Sequence, residues 1–124
     1  MEIKINTWLY GELSRYGGEA DQGSFANILV NLDAGSTVRD LLATLSLPTE
    51  QRGITFINGN LSALPGLQPD LDQILSDGDR VAFFHLRSMW PYQYRSGATM
   101  TGELSAAIQA RTDQGMSNSA LFPE

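Results

Sequence analysis

The chain of 124 residues contains no cysteine and a single histidine. Without cysteine there is no disulfide, no thiolate metal site and no cysteine nucleophile. One histidine, His85, offers neither a metal-ligand cluster nor the basis of a Ser-His-Asp arrangement, and we interpret it as a strand residue with a hydrogen-bonded ring. We therefore expect no cofactor and no metal, and we expect that the protein is not an enzyme.

Basic residues are also scarce. Eight Lys and Arg stand against fourteen Asp and Glu, which gives a net charge of -6 and a pI of about 4.6. An acidic surface argues against nucleic acid and anionic membranes as partners. No apolar run approaches the length of a membrane span, and residues 1–5 lack the basic and apolar regions of a signal peptide. A cytoplasmic protein is expected.

The N-terminal part of the chain predicts two strands. Residues 2–9 alternate, so that the odd-numbered side chains face one side of a sheet. Residues 11–24 are polar and rich in glycine, which predicts a loop with at most one helical turn. A second strand is predicted over residues 25–32. Its apolar pattern slips between Phe25 and Ile28, which indicates a bulge or a later start.

A capped helix follows the second strand. Thr37 and Asp40 have the spacing of a capping box, with Asp in place of the usual Glu or Gln. The apolar residues of the segment then recur at helical spacing and predict one buried face: Val38, Leu41, Leu42 and Leu45. We expect this face to pack on Ile3, Ile5, Ile57 and Val81. Pro48 lies beyond the end of the helix.

Two further strands are predicted. The apolar run 54–57 ends at Asn58-Gly59, a dipeptide that tolerates the positive φ of a tight turn. Pro65 and Pro69 exclude a long regular element between residues 61 and 75. Residues 80–86 are almost continuously apolar, as in a central strand that is covered on both faces.

Four aspartates cluster between the last two predicted strands, at Asp70, Asp72, Asp77 and Asp79. Their spacing does not match a calcium-binding loop, which ends in a bidentate Glu. We interpret all four as turn residues on a solvated surface.

The order of these elements, with the "x-N-G-x" turn and the run Ser76-Asp77-Gly78-Asp79-Arg80-Val81, resembles the MoaD/ThiS family of ubiquitin-like sulfur carriers. The resemblance implies an α+β β-grasp fold, a mixed sheet packed on one helix, with the first and last strands paired. It covers residues 1–86, which we predict to be the ubiquitin-like domain. Residues 87–124 then form an aromatic and partly helical C-terminal extension.

The family also implies a function. Its members end in Gly-Gly, and the terminal carboxylate is adenylated by an E1-like enzyme and converted to a thiocarboxylate. Here no Gly-Gly follows the last predicted strand, and the chain given ends in Phe122-Pro123-Glu124. Gly97 is the candidate for the thiocarboxylate, on the condition that the chain is cut after it.

Two functions remain open from the sequence. The first is a non-catalytic carrier similar to the small subunit of molybdopterin synthase, with partners that include an E1-like adenylating enzyme, the synthase large subunit, or a subunit of a molybdenum or tungsten enzyme. The second is an interaction module without sulfur chemistry, which binds an enzyme subunit or a second copy of itself. Aromatic residues recur at protein interfaces, and the predicted partner-binding residues are Phe84, Leu86, Trp90, Tyr92, Tyr94, Leu104 and Ile108. The last two lie on the apolar stripe of a predicted helix over residues 101–111.

Overall fold

A computed structural model of the protein describes residues 1–87 and 99–113. Its five strands form one mixed sheet in the order β2-β1-β5-β3-β4: β1 Glu2–Tyr10, β2 Phe25–Asp33, β3 Arg52–Ile57, β4 Asn60–Ala63 and β5 Arg80–His85. The two central strands, β1 and β5, are parallel, and the other neighbours are antiparallel. The predicted α+β β-grasp fold, including the pairing of the first and last strands, is confirmed.

The helix α1, Val38–Leu45, covers one face of the sheet, which we call the inner face. The predicted capping box is present: the Thr37 backbone N–H donates to the Asp40 carboxylate at 2.8 Å, and the Asp40 N–H donates to the Thr37 hydroxyl at 3.4 Å. Ser46 ends the helix in the left-handed conformation, with φ of 57°. The four predicted helix residues and their four predicted strand partners belong to one buried cluster, so the predicted core is confirmed.

The Asn58-Gly59 turn joins β3 to β4 in a two-residue hairpin loop. Both residues have positive φ, 51° and 83°, which matches the right-handed twist of the flanking strands. The strand β4 was not predicted, because its four residues are followed closely by Pro65 and are too few to show a clear alternation.

The segment between β1 and β2 is more ordered than predicted. Gly11–Ala20 forms 3-10 helix, interrupted at Gly18. The expectation of a bulge in β2 is wrong: β1 and β2 pair in unbroken register along all nine residues of β2. The apolar pattern slips because Ala26 takes the inward position, while Phe25 lies on the other face of the sheet.

One member of the aspartate cluster is not on the surface. Asp70 is fully buried and makes a bidentate ion pair with Arg52, which is also fully buried, with N–O distances of 2.6 and 2.9 Å. The hydroxyl of Ser62 donates to the same carboxylate at 2.9 Å. The expectation of a solvated Asp70 is wrong because its partner lies eighteen residues away in the chain, beyond the reach of a local pattern. Asp77 and Asp79 are turn residues as predicted, and accept hydrogen bonds from backbone N–H groups.

A second helix, α2 at Gly102–Asp113, packs on the opposite face of the sheet, which we call the outer face. The residues just before it extend the sheet: the Leu61 N–H donates to the Thr99 carbonyl at 2.7 Å, and the Thr101 N–H donates to the Leu61 carbonyl at 2.9 Å. Part of the C-terminal extension therefore lines the β4 edge. The division of the chain at residue 86 stays a prediction.

Candidate functional site

The end of β5 is the point from which a carrier of this fold extends its tail, and here the backbone is fixed by several contacts. The Leu86 N–H donates to the Gln51 carbonyl at 2.9 Å, and the Arg87 N–H donates to His85 Nδ1 at 3.1 Å. The other ring nitrogen of His85, Nε2, lies 3.0 Å from the Glu12 carboxylate. The interpretation of His85 as a strand residue with a hydrogen-bonded ring is confirmed.

A glycine permits this arrangement. A Cβ atom on Gly53 would lie 3.0 Å from the Leu86 Cα and 3.1 Å from the His85 carbonyl oxygen. Both neighbours are backbone atoms, which cannot move aside as a flexible side chain can. The close approach of β3 to the end of β5 therefore depends on the missing side chain of Gly53.

A groove of about 530 Å³ opens beside this point. It is lined by Thr49, Glu50, Arg52, Gly66, Gln68, Leu71 and Leu86. One of these residues, Arg52, is held in place by its buried ion pair with Asp70. Arg52 Nε has no hydrogen-bond partner within the described part of the chain, although the other guanidinium nitrogens are bonded.

The outer face carries a row of aromatic rings across four strands. Trp8 stacks between Phe25 and Tyr10, with centroid distances of 6.1 and 6.0 Å. Tyr10 stacks on Phe84 at 4.7 Å, and Phe84 meets the edge of Phe56 at 6.0 Å. Phe56 is buried next to α2, whereas Phe25 at the other end is 38% exposed. The row thus runs from the covered part of the outer face to its open part.

The structure places four of the seven predicted partner-binding residues. Phe84 is half-buried within the aromatic row, and Leu86 is 44% exposed beside the groove. Ile108 is partly buried against the outer face, and Leu104 is fully buried there. Leu104 is therefore not accessible to a partner while α2 is docked. The other three, Trp90, Tyr92 and Tyr94, lie outside the described residues, as does Gly97.

Three residues of the aromatic row were not among the predicted site residues: Trp8, Tyr10 and Phe25. A signal was present, because Trp8 and Tyr10 fall on the even-numbered positions of β1, opposite the side predicted to be buried. Two large aromatic side chains on the nominally solvated side of a strand indicate a second apolar surface. Phe25 gave no such signal because the apolar pattern of its strand slips between Phe25 and Ile28, which left the face of Phe25 undefined.

Two other kinds of site were tested on the described residues. In these ranges, no group of three or more His, Cys, Asp or Glu side chains is placed to hold a metal ion. No helix among them has the length and apolar character needed to cross a membrane. The features that remain are the fixed end of β5, the groove and the outer face, all of which suit contact with another protein.

Comparison with known proteins supports the fold and the type of protein. The chain matches the ThiS family over residues 17–88, more than half of its 124 residues. A search of curated proteins finds no match. The family match ends at residue 88, just after β5, so it does not include α2. From the matched segment and the β-grasp sheet, we conclude that this chain belongs to the ThiS family of small ubiquitin-like sulfur carriers.

Proposed function

We propose that the protein is a non-catalytic sulfur carrier for the synthesis of a molybdenum or tungsten pterin cofactor, in the role of the small subunit of molybdopterin synthase. Membership of the ThiS family is the observation that supports a carrier. The assignment to the pterin pathway, rather than to thiamine, rests on the resemblance of the sequence alone. The acidic surface, with a net charge of -6, suits a partner with a basic docking surface.

In this proposal Gly97 supplies the carboxylate. Hydrolysis of the bond between Gly97 and Ala98 frees the carboxylate, which attacks ATP and forms an acyl-adenylate with release of pyrophosphate. A persulfide sulfur of the partner enzyme then displaces AMP, and reductive cleavage by a thiol leaves the thiocarboxylate. A glycine suits this position because a tail without a Cβ can enter a narrow channel in an extended form.

The partner contacts in this proposal lie around the end of β5. Leu86 is exposed beside the groove, and Phe84 belongs to the aromatic row that leads to the open part of the outer face. Both are close in sequence to the start of the tail, so a partner that binds them also receives the tail. Trp90, Tyr92 and Tyr94 are proposed to extend the same contact.

A specific observation favours a second function, an interaction module without sulfur chemistry. The extension beyond Gly97 is part of the folded structure: Thr99 and Thr101 bond to Leu61, and Leu104 is buried. A segment that is removed during maturation need not be packed in this way. In the alternative function the extension stays in place, and the protein binds an enzyme subunit or a second copy through its sheet.

Pyrophosphate release with an E1-like enzyme and ATP distinguishes the two functions. The carrier function predicts turnover by a chain truncated after Gly97 and none by the full-length chain. The matched control is the same truncation with Gly97→Ala, which should be slower because the added Cβ hinders entry of the tail. Turnover by the full-length chain would contradict the need for cleavage. Absence of turnover from the truncated chain, when a known carrier is active with the same enzyme, would favour the interaction module.

The pathway needs a separate test. The truncated chain should co-purify with the large subunit of a molybdopterin synthase and restore cofactor synthesis in a strain that lacks its own small subunit. Restoration of growth without thiamine, in a strain that lacks its thiamine sulfur carrier, would instead assign the protein to thiamine synthesis. An intact mass raised by about sixteen daltons, the replacement of one oxygen by sulfur, would identify the thiocarboxylate directly.

A further inference from the structure

The two edges of the sheet differ in whether another segment of the chain bonds to them. At the β4 edge, both backbone groups of Leu61 bond to the segment Thr99–Thr101. At the other edge, no strand of the described residues lies beyond β2. An open strand edge is a template for pairing with another chain, and proteins usually protect it.

The backbone of β2 shows which groups are open. Just beyond the two ends of β2, even-numbered residues on the β2 side bond to the β1 side. The Ala34 N–H donates to the Met1 carbonyl, and the Ser24 carbonyl accepts from the Gly11 N–H. Since hydrogen-bonded and non-hydrogen-bonded pairs alternate, the odd-numbered residues point their N–H and C=O groups away from β1. Beyond Phe25, these residues are Asn27, Leu29, Asn31 and Asp33. The Asp33 carbonyl already accepts a hydrogen bond from the Ser36 N–H at 3.1 Å, so the group that Asp33 offers to another strand is its N–H.

The sequence of β2 lacks the residues that usually protect an edge strand. The segment Phe25–Leu32 contains no charged residue and no proline, and its register with β1 has no bulge. Leu29, near the middle of β2, is 58% exposed. Such a strand is well suited to pairing.

One end of the edge is closed by the chain itself. Asp21 bridges to Ala26, and the Gln22 N–H donates to the Phe25 carbonyl at 2.8 Å. The hydroxyl of Ser14 and the Gly23 N–H hold the pKa of Asp21 below its usual value. The open part is therefore Asn27–Asp33, with Val30 at its centre.

We propose that this open edge pairs with the same edge of a second copy of the chain, antiparallel about Val30, so that two five-stranded sheets become one of ten strands. In this register Leu29 lies opposite Asn31 of the second copy, and Asn27 lies opposite Asp33 of the second copy. Residues whose backbone N–H and C=O groups point away from β1 thus lie opposite each other, as ladder hydrogen bonds require. No carboxylate lies opposite another carboxylate, so the negative charge of the two chains does not oppose the pairing locally.

A second copy is favoured over a strand of another protein by this self-complementarity. The same seven residues provide an uncharged centre and compatible ends on both sides of a two-fold axis. Isologous pairs of this kind are the commonest form of oligomer. The β4 edge cannot serve in the same way while Thr99–Thr101 occupies it.

Sedimentation equilibrium of the full-length chain tests the proposal, and we expect a concentration-dependent dimer. Leu29→Pro removes an N–H that makes no bond to β1, so it should leave the fold intact and abolish the dimer. Leu29→Lys is the second variant, and it should weaken dimerisation about tenfold or more. Ile74→Lys is the matched control, because Ile74 is an equally exposed apolar residue away from β2, 65% exposed, and the charge change is the same.

The register can be measured because the chain has no cysteine of its own. Spin labels on Asn31→Cys should lie close together across the axis, offset by two residues or about 7 Å along the strands. Labels on Asn27→Cys should be offset by six residues, about 20 Å. A monomer at the highest soluble concentration, a dimer unaffected by both Leu29 variants, or equal label separations at the two positions would each overturn the proposal.

Discussion

Leu104 is the one fully buried side chain among the described side chains of α2, and the substitution Leu104→Ala tests how firmly the helix is attached to the outer face. Leu104 is fully buried in a cluster with residues of β3, β4 and the loop after them: Ile54, Phe56, Leu61 and Leu64. A helix of twelve residues is marginally stable alone in water. Its stability must therefore come from this contact with the sheet.

The expected cost follows from the burial. The substitution removes three carbon atoms, and at about 0.8 kcal/mol for each buried methylene the transfer contribution is roughly 2.4 kcal/mol. The cavity that remains raises the total into the range of about 2–5 kcal/mol measured for buried leucines. If α2 undocks as a unit instead, the loss of global stability is smaller, and the loss appears as local opening.

Two measurements separate these outcomes. Urea denaturation gives the free energy of global unfolding, and hydrogen exchange of the Leu61 and Thr101 amides reports local opening, because both bond across the contact. Leu104→Ala should lower the free energy of global unfolding, speed the exchange of the Leu61 and Thr101 amides, or do both. The control is Glu103→Ala, an exposed position on the same helical turn, which should change the free energy of unfolding by less than about 0.5 kcal/mol.

The reasoning would be refuted if Leu104→Ala changed neither quantity. It would also be refuted if, in the unmodified chain, the Leu61 and Thr101 amides exchanged as fast as unprotected ones. Either result would mean that α2 is not held on the sheet in solution, and that its apolar residues are available to a partner.

Three further substitutions test the core, the buried ion pair and the end of β5 by urea denaturation. Asp70→Asn should cost about 3–5 kcal/mol because Arg52 is left buried without a counter-charge, whereas replacement of both residues by apolar ones of similar size should recover most of the loss. Leu42→Ala should cost about 2–5 kcal/mol if α1 packs as described. Gly53→Ala should cost about 1–3 kcal/mol, because the new Cβ meets backbone at the end of β5. A change below about 0.5 kcal/mol in any of them, typical of a surface site, would contradict the corresponding contact.

Much of the fold could be predicted because its signals are local. The alternation in β1, the Thr37 and Asp40 cap and the Asn58-Gly59 turn each depend on a few consecutive residues. The parallel pairing of β1 with β5 joins segments that are more than sixty residues apart. Periodicity does not contain that information, and the pairing was predicted from the family resemblance alone.

The features that were missed depend on tertiary contacts. Asp70 and Asp72 are both aspartates of the same short segment, yet only Asp70 is buried and paired with Arg52, whereas Asp72 is exposed and pairs with Arg39. Phe25 was counted among the apolar residues of the second strand, but Ala26 fills the inward position and Phe25 completes the aromatic row. Which of two adjacent residues faces inward is set by the register with β1.

For the candidate site, the sequence predicted a helix with an apolar stripe that must pack on another surface. It did not predict whether that surface belongs to this chain or to a partner. The structure provides that surface within the same chain: Leu104 is buried on the outer face and Ile108 packs beside it. The stripe is too narrow to distinguish a surface of this chain from one of a partner. Only the spatial position of the cluster around Leu61 resolves the question.

The proposed carrier function and the docked extension are linked through a short stretch of chain. Gly97 lies two residues before Thr99, whose carbonyl accepts a hydrogen bond from Leu61. Only a cut after Gly97 gives that residue a free carboxylate. The cut separates the segment that carries α2 from the carrier, and the two bonds to Leu61 are then among the non-covalent contacts that hold this segment on the sheet. Release of the segment would expose the apolar cluster around Leu104, whereas a chain that is not cut can act only through the surfaces that α2 leaves open.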